Sequence, residues 1–243
     1  MALARAWSVA LFGMDGVLVE IEADIGGGRP VTQIVGLPDA ALSEARDRVR
    51  AAVRNSREKW PSQRITLGLS PAALPKGGSG YDLALACAVL TAATVVPGDL
   101  LDGTVMIGEL ALDGRVRPVR GALPCLLAAR NAGLRRAIVA DSALAEASLV
   151  GGMDVLGASN LASVLAWLRG DEDLIRPQKA PVPSRLPSVP DLADVVGQPE
   201  ARWAIEVAAA GGHHMLMVGP PGTGKTMLAS RMPGLLPGMR LAS

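Results

Sequence analysis

Aromatic residues are scarce: one Phe, one Tyr and four Trp, 2% of 243 residues. A core must therefore be assembled from Ala, Val, Leu and Ile. The scarcity also argues against an extended aromatic platform for stacking single-stranded bases. Cysteine is nearly absent. Cys87 and Cys125 lie in the apolar runs LALACAVL and LPCLLAA, which predicts two buried thiols rather than a disulfide framework or a metal cage. Neither charge sign dominates: the formal net charge is +1, so any nucleic-acid contact must be local. No uncharged apolar run reaches about 18 residues, which predicts no membrane-spanning helix. The run AWSVALFGM after Arg5 is broken by Gly13 and followed by Asp15 and Glu20. It reads as a first core strand rather than a targeting segment, and a cytoplasmic location is expected.

What is present is an alternation of strand-like and helix-like patterns over residues 1–170. SVALFGM and GVLVEIEADI read as paired strands around a turn at Met14-Asp15-Gly16, and PVTQIVGL as a third strand. The stretch PDAALSEARDRVRAAVRNS places Leu42, Ala45, Val49, Ala52 and Val53 on one helical face, with Pro38 in the first turn. RITLGLS is a strand entering the Gly-rich turn LPKGGSG, and YDLALACAVLTAATVV an apolar helix buried on most sides. TVMIGELALDGRVRPV reads as a hairpin closed at Asp113-Gly114. GALPCLLAARNAG is a helix stopped at Gly133, RRAIVA and MDVLGA are strands, and NLASVLAWLRG is a helix capped by Asn160. Residues 171–190 are Pro-rich and aperiodic, a linker or an extended wrap. In residues 191–243, GQPEARWAIEVAAAG reads as a helix and HMLMV as a buried strand.

That strand leads into GPPGTGKT. Gly219, Gly224, Lys225 and Thr226 have the Walker A spacing, and the whole loop Gly219, Pro220, Pro221, Gly222, Thr223, Gly224, Lys225 and Thr226 is the expected ATP site. Glycines let backbone N–H groups curl around one anion, and the following helix adds its N-terminal partial charge. Lys225 would reach the β- and γ-phosphates, and Thr226 would ligate Mg²⁺. Hydrolysis also needs an acid to hold the metal and a group to orient water. Residues 227–243 contain no acid. The expectation is a truncated ATPase module that binds nucleotide without turning it over. The adjacent His213 and His214, on a strand, would point to opposite faces and could not share one ion.

GPPGTGKTMLASRMPGLLP and the preceding VVGQPEARWAIEVAAAGGHHMLMVG resemble the magnesium-chelatase-like AAA+ proteins of the ComM (YifB) family. LFGMDGVLVEIEADIGGGRPVTQIVGLPDAALSEARDRVRAAVRNS and LSPAALPKGGSGYDLALACAVL agree, so the resemblance covers essentially the whole chain. It implies an α/β protein: a Lon-protease-domain-like N-terminal domain, a fold also found at the C-terminus of RadA, followed by an incomplete P-loop AAA+ module. It further implies hexameric rings and an ATP-dependent DNA helicase that promotes branch migration. Nothing in the chain resembles a porphyrin site.

The Lon likeness carries a test. Lon's serine motif P-K-D-G-P-S-A-G falls on Pro75-Lys76-Gly77-Gly78-Ser79-Gly80-Tyr81-Asp82, so the nucleophile position holds Gly80 with Ser79 beside it. Its lysine motif P-V-G-G-L-K-E-K falls on Pro118-Val119-Arg120-Gly121-Ala122-Leu123-Pro124-Cys125, so the lysine position holds Leu123. A Ser–Lys dyad would need Lys76 to approach Ser79, and a residual peptidase is the weakest of the three functions considered. The other alternative is a DNA- or protein-binding module acting without nucleotide chemistry. Arg115, Arg117 and Arg120 are its expected phosphate-binding patch, against solvated charge balanced by Asp102, Glu109 and Asp113.

Overall fold

The computed structural model describes residues 2–177 and 189–237, which fall into two compact units. In the first, a seven-stranded sheet runs in the order β3-β4-β2-β1-β5-β8-β9. β1 (Ala2–Phe12) and β2 (Asp15–Gly26) form a long antiparallel hairpin in which Phe12 faces Asp15. The turn is thus Gly13-Met14, one residue earlier than the pattern indicated, with Gly13 in the left-handed region at φ +65°. Gly16 lies inside β2 instead. A Cβ there would stand 2.6 Å from Ala128 Cβ, so its missing side chain admits the helix that crosses it.

β4 (Arg64–Ser70) pairs antiparallel with β2, and β3 (Val31–Val35) pairs parallel with β4 at the sheet's edge. β5 (Thr104–Ile107), β8 (Arg136–Ala140) and β9 (Asp154–Ala158) extend the other side in parallel. The alternation of strand side chains decides the layers. Ile138 and Ala140 of β8 face one core, and Ala137 and Val139 the other. The first core is covered by α1 (Ala40–Asn55), α2 (Asp82–Ala92) and α5 (Leu161–Arg169), the second by α3 (Ala122–Asn131) and the short α4 (Leu144–Ala147).

α1 buries Leu42, Ala45, Val49, Ala52 and Val53, the face that periodicity predicts. Its N-cap is Asp39, whose carboxylate accepts from the Leu42 N–H at 2.7 Å. Pro38 therefore lies outside the helix, bridged to Lys76, rather than in its first turn. α2 is buried on nearly every side, and Asn160 caps α5. The expected hairpin over residues 104–119 is divided. Its first half is β5 of the large sheet, and only β6 (Glu109–Leu110) and β7 (Val116–Arg117) pair antiparallel. Gly108 makes the break: its N–H donates to Gly80 O at 3.0 Å, and a Cβ there would meet Val116 Cγ1 at 2.7 Å. α4 and its flanking turns, over residues 141–150, were not anticipated between two strands.

The Pro-rich stretch starts on the first unit. Leu174 is buried, and Ile175 exchanges backbone hydrogen bonds with Gly157 at 2.7 and 3.2 Å. Residues 178–188 of the expected linker lie outside the described residues. The second unit holds α6 (Pro199–Gly211) and α7 (Lys225–Ala229) around Leu192, Val195, Ile205 and Leu228. The predicted strand HMLMV is not formed: residues 213–220 are irregular, and Leu216 and Val218 are each 87% exposed. A strand needs a neighbour to take its N–H and C=O groups, and none lies beside it among the described residues. No helix of the described residues is long and apolar enough to cross a membrane.

Candidate nucleotide loop and the Gly-rich cleft

The loop between residues 218 and 225 curls as its composition requires. Gly222 and Gly224 take φ of +83° and +80°, conformations that strain any other residue. Thr223 Oγ1 donates to Pro220 O at 2.9 Å and ties the turn from within. Lys225, the first residue of α7, folds its side chain back into the loop. Its Nζ donates to Gly219 O and Pro220 O, both at 2.7 Å, and lies 3.2 Å from Thr223 Oγ1. The cationic end of Lys225 is thus held at the centre of the glycine loop. Gln198 Nε2 donates to Thr223 O at 3.4 Å and bolsters the loop from the start of α6. Nothing local in the sequence marked that residue. Thr226 follows in the first turn of α7 and is exposed.

These residues fit a polyphosphate: an ammonium and left-handed glycines sit on one short turn ahead of a helix. Of the loop's two hydroxyls, that of Thr223 is tied to Pro220 O, which leaves that of Thr226 for a hard metal ion. The reason for rejecting a shared ion at His213 and His214 lapses with the strand. Among the described residues no group of three or more His, Cys, Asp or Glu could hold a metal.

The Gly-rich segment of the first unit lines a separate cleft of about 360 Å³, with Ser79, Glu109, Arg120 and Cys125 in its walls. Ser79 Oγ donates to Glu109 Oε2, and Arg117 approaches the same carboxylate at 3.6 Å. Lys76 does not approach Ser79. It is fully buried, and its amine donates to Gly36 O at 3.2 Å, to Leu74 O at 2.8 Å and to Pro71 O. The amine that a Ser–Lys dyad would have required is a structural tie, which removes the basis for a peptidase at Ser79. Burial pushes the Cys125 thiol up to about 12.

An ion pair sets the position of this cleft. Asp82, buried in the first turn of α2, receives Arg48 Nε at 3.0 Å and Arg48 Nη2 at 3.1 Å, and also the Leu110 N–H at 3.2 Å. One carboxylate thus joins α1, α2 and β6. Burial pushes Asp82 up to about 6, against the lowering by Arg48. The expected basic patch is less free than its charges implied. Arg115 is held by Asp113 at 2.8 Å and Arg117 by Glu109, leaving Arg120 at the cleft's rim.

Fold and loop together define a Lon-like α/β domain followed by part of a P-loop module. Residues 21–143 match the family described as subunit ChlI of Mg-chelatase, and residues 191–243 the family described as magnesium chelatase, subunit ChlI. The chain is 57% identical over 239 residues to an uncharacterized protein of Mycobacterium tuberculosis, covering 98% of this chain and 47% of that one. It is 43% identical over 237 residues to the uncharacterized protein YifB of Escherichia coli (98% and 46%). It is 42% identical over 243 residues to competence protein ComM of Haemophilus influenzae (98% and 48%). A Lon protease of Mycolicibacterium smegmatis is 28% identical over 173 residues, 66% of this chain and 22% of that one. The chain belongs to the ComM/YifB, magnesium-chelatase-like family. It spans about half the length of the ComM- and YifB-type relatives it matches.

Proposed function

We propose that this chain supplies the phosphate-binding loop and the Lon-like accessory domain of an ATP-dependent DNA-remodelling motor. In that reading the whole protein works as a cytoplasmic hexameric branch-migration helicase in the handling of incoming DNA. The observation that carries it is Lys225, whose amine is fixed 2.7 Å from Gly219 O and Pro220 O inside a loop of Walker A spacing. ATP would place its phosphates against Gly219–Thr226, exchanging those two carbonyls for phosphate oxygens at the Lys225 amine. Thr226 would give its hydroxyl to Mg²⁺. Residues 227–243 hold no acid, so these 243 residues bind nucleotide without hydrolysing it.

Calorimetric titration of the chain with Mg·ATP, beside Lys225→Ala, is the test. Binding weakened at least about tenfold in the variant, with no phosphate release above that variant, is expected. No binding up to about 1 mM would sink the nucleotide reading. Steady Lys225-dependent turnover would sink its non-hydrolytic part.

A further inference from the structure

The outer face of α1 carries Arg46, Arg50 and Arg54 at four-residue intervals, so their stems rise along one side of the helix. They border a groove of about 310 Å³, closed by the entry to β3 and the loop from Trp60 to Gln63. Between residues 46 and 64 there are seven Lys and Arg against two acids, although the whole chain nets only +1. Both acids are engaged: Glu58 by Arg169, and Asp47 by Arg46 at 3.3 Å. Arg48 is turned inward to Asp82. Arg50 and Arg54 are exposed and make no ion pair among the described residues. That is the reverse of Arg115 and Arg117, each of which has a carboxylate in reach.

Spacing suits a row of phosphates. Successive arginines are about 6 Å apart along the axis, and the row spans about 12 Å. Phosphates of one duplex strand advance about 3.4 Å each along the helix axis, so a row of this length matches a short run of phosphates. Trp60 packs on the core and also lines the groove, offering an aromatic surface beside the row. Thr32, Ser62 and Gln63 add neutral polar groups of the kind that bond phosphate and sugar. We infer that the α1 groove is a nucleic-acid-binding surface in which Arg50 and Arg54, in line with the Asp47-paired Arg46, hold the phosphodiester backbone of a DNA strand beside Trp60. This rests on the reading that the protein works on DNA, and it moves the contact away from the 115–120 patch.

The test is fluorescence anisotropy with labelled single-stranded and duplex DNA, using the full chain between about 50 and 200 mM salt. Arg50→Ala with Arg54→Ala should weaken binding at least about tenfold at low salt and lower the log–log salt slope by about 2. Arg115→Ala with Arg117→Ala should change affinity by less than about threefold. Both replaced arginines are exposed, and an unchanged melting curve checks the fold. If the double variant melts early, Arg50→Glu alone carries the same comparison. DNA binding that ignores Arg50 and Arg54 overturns the placement and leaves the DNA reading standing. No DNA binding by the unaltered chain at about 50 mM salt overturns both. Polyglutamate competing as well as DNA at equal charge overturns the nucleic-acid assignment in favour of an acidic protein.

Discussion

Lys76 and Asp82 are both fully buried, yet they meet the cost of burial differently. The Lys76 amine is lowered by desolvation, and backbone carbonyls accept all three of its protons. Asp82 has a charged partner in Arg48 but still rises from 3.8 to about 6, because desolvation outweighs that partner. The sign follows from linkage. A carboxyl raised in the folded state contributes its stability below its unfolded value and loses it as pH climbs through the folded one. A rise of about two units corresponds to about 3 kcal/mol. The unfolding free energy of the unaltered chain, measured against Asp82→Asn, should therefore fall by up to about that amount between about pH 4 and 7. Urea denaturation at several pH values checks this, and a pH-independent difference contradicts it. Neither residue was legible beforehand. A lysine in a Gly-rich turn reads as solvated, and an aspartate before an apolar run reads as a helix start, because Arg48 lies 34 residues from Asp82 and Gly36 lies 40 from Lys76.

Elements were more legible, since periodicity and capping are local. The buried face of α1, the all-round burial of α2 and the Asn160 cap follow from side-chain order alone. The departures were boundary shifts of a residue or two, at Pro38 and at the Gly13-Met14 turn, short pieces such as α4, the division of the 104–119 hairpin and the absence of a strand at HMLMV among the described residues. One capping residue does more than its element needs. Asp39 Oδ1 takes the Leu42 N–H, while Oδ2 takes the Gly78 N–H at 3.1 Å. A Cβ at Gly77 would stand 2.5 Å from that second oxygen, so a side chain there would displace the Asp39 carboxylate. Asp39→Ala should cost about 1–2 kcal/mol in stability and also speed amide exchange at Gly78. Exchange unchanged at Gly78 would show that the Gly-rich loop is held without Asp39.

At the scale of the whole molecule the two units have unequal cores. The first covers both faces of a seven-stranded sheet, and the second closes on Leu192, Val195, Ile205 and Leu228 with partly buried methionines. Cooperativity follows shared burial, so two transitions are expected, the second unit opening first. Ile205→Ala, at about 2–5 kcal/mol for a buried truncation, should lower the first transition and leave the second in place. Segment-resolved hydrogen exchange in urea reads both. Equal shifts in both transitions would show one cooperative body.

Side-chain order alone determined the helix faces, the long opening hairpin, the Asn160 cap and the glycine spacing of the phosphate loop, because each is set by residues a few positions apart. Only the tertiary structure decided that β5 joins the large sheet beside β1, that Lys76 anchors the Gly-rich loop, and that Arg115 and Arg117 are paired while Arg50 and Arg54 make no ion pair among the described residues. It also left HMLMV without a strand partner among the described residues. Apolar content can propose a strand, but a strand exists only where another backbone completes its hydrogen bonds, and that partner comes from elsewhere in the chain.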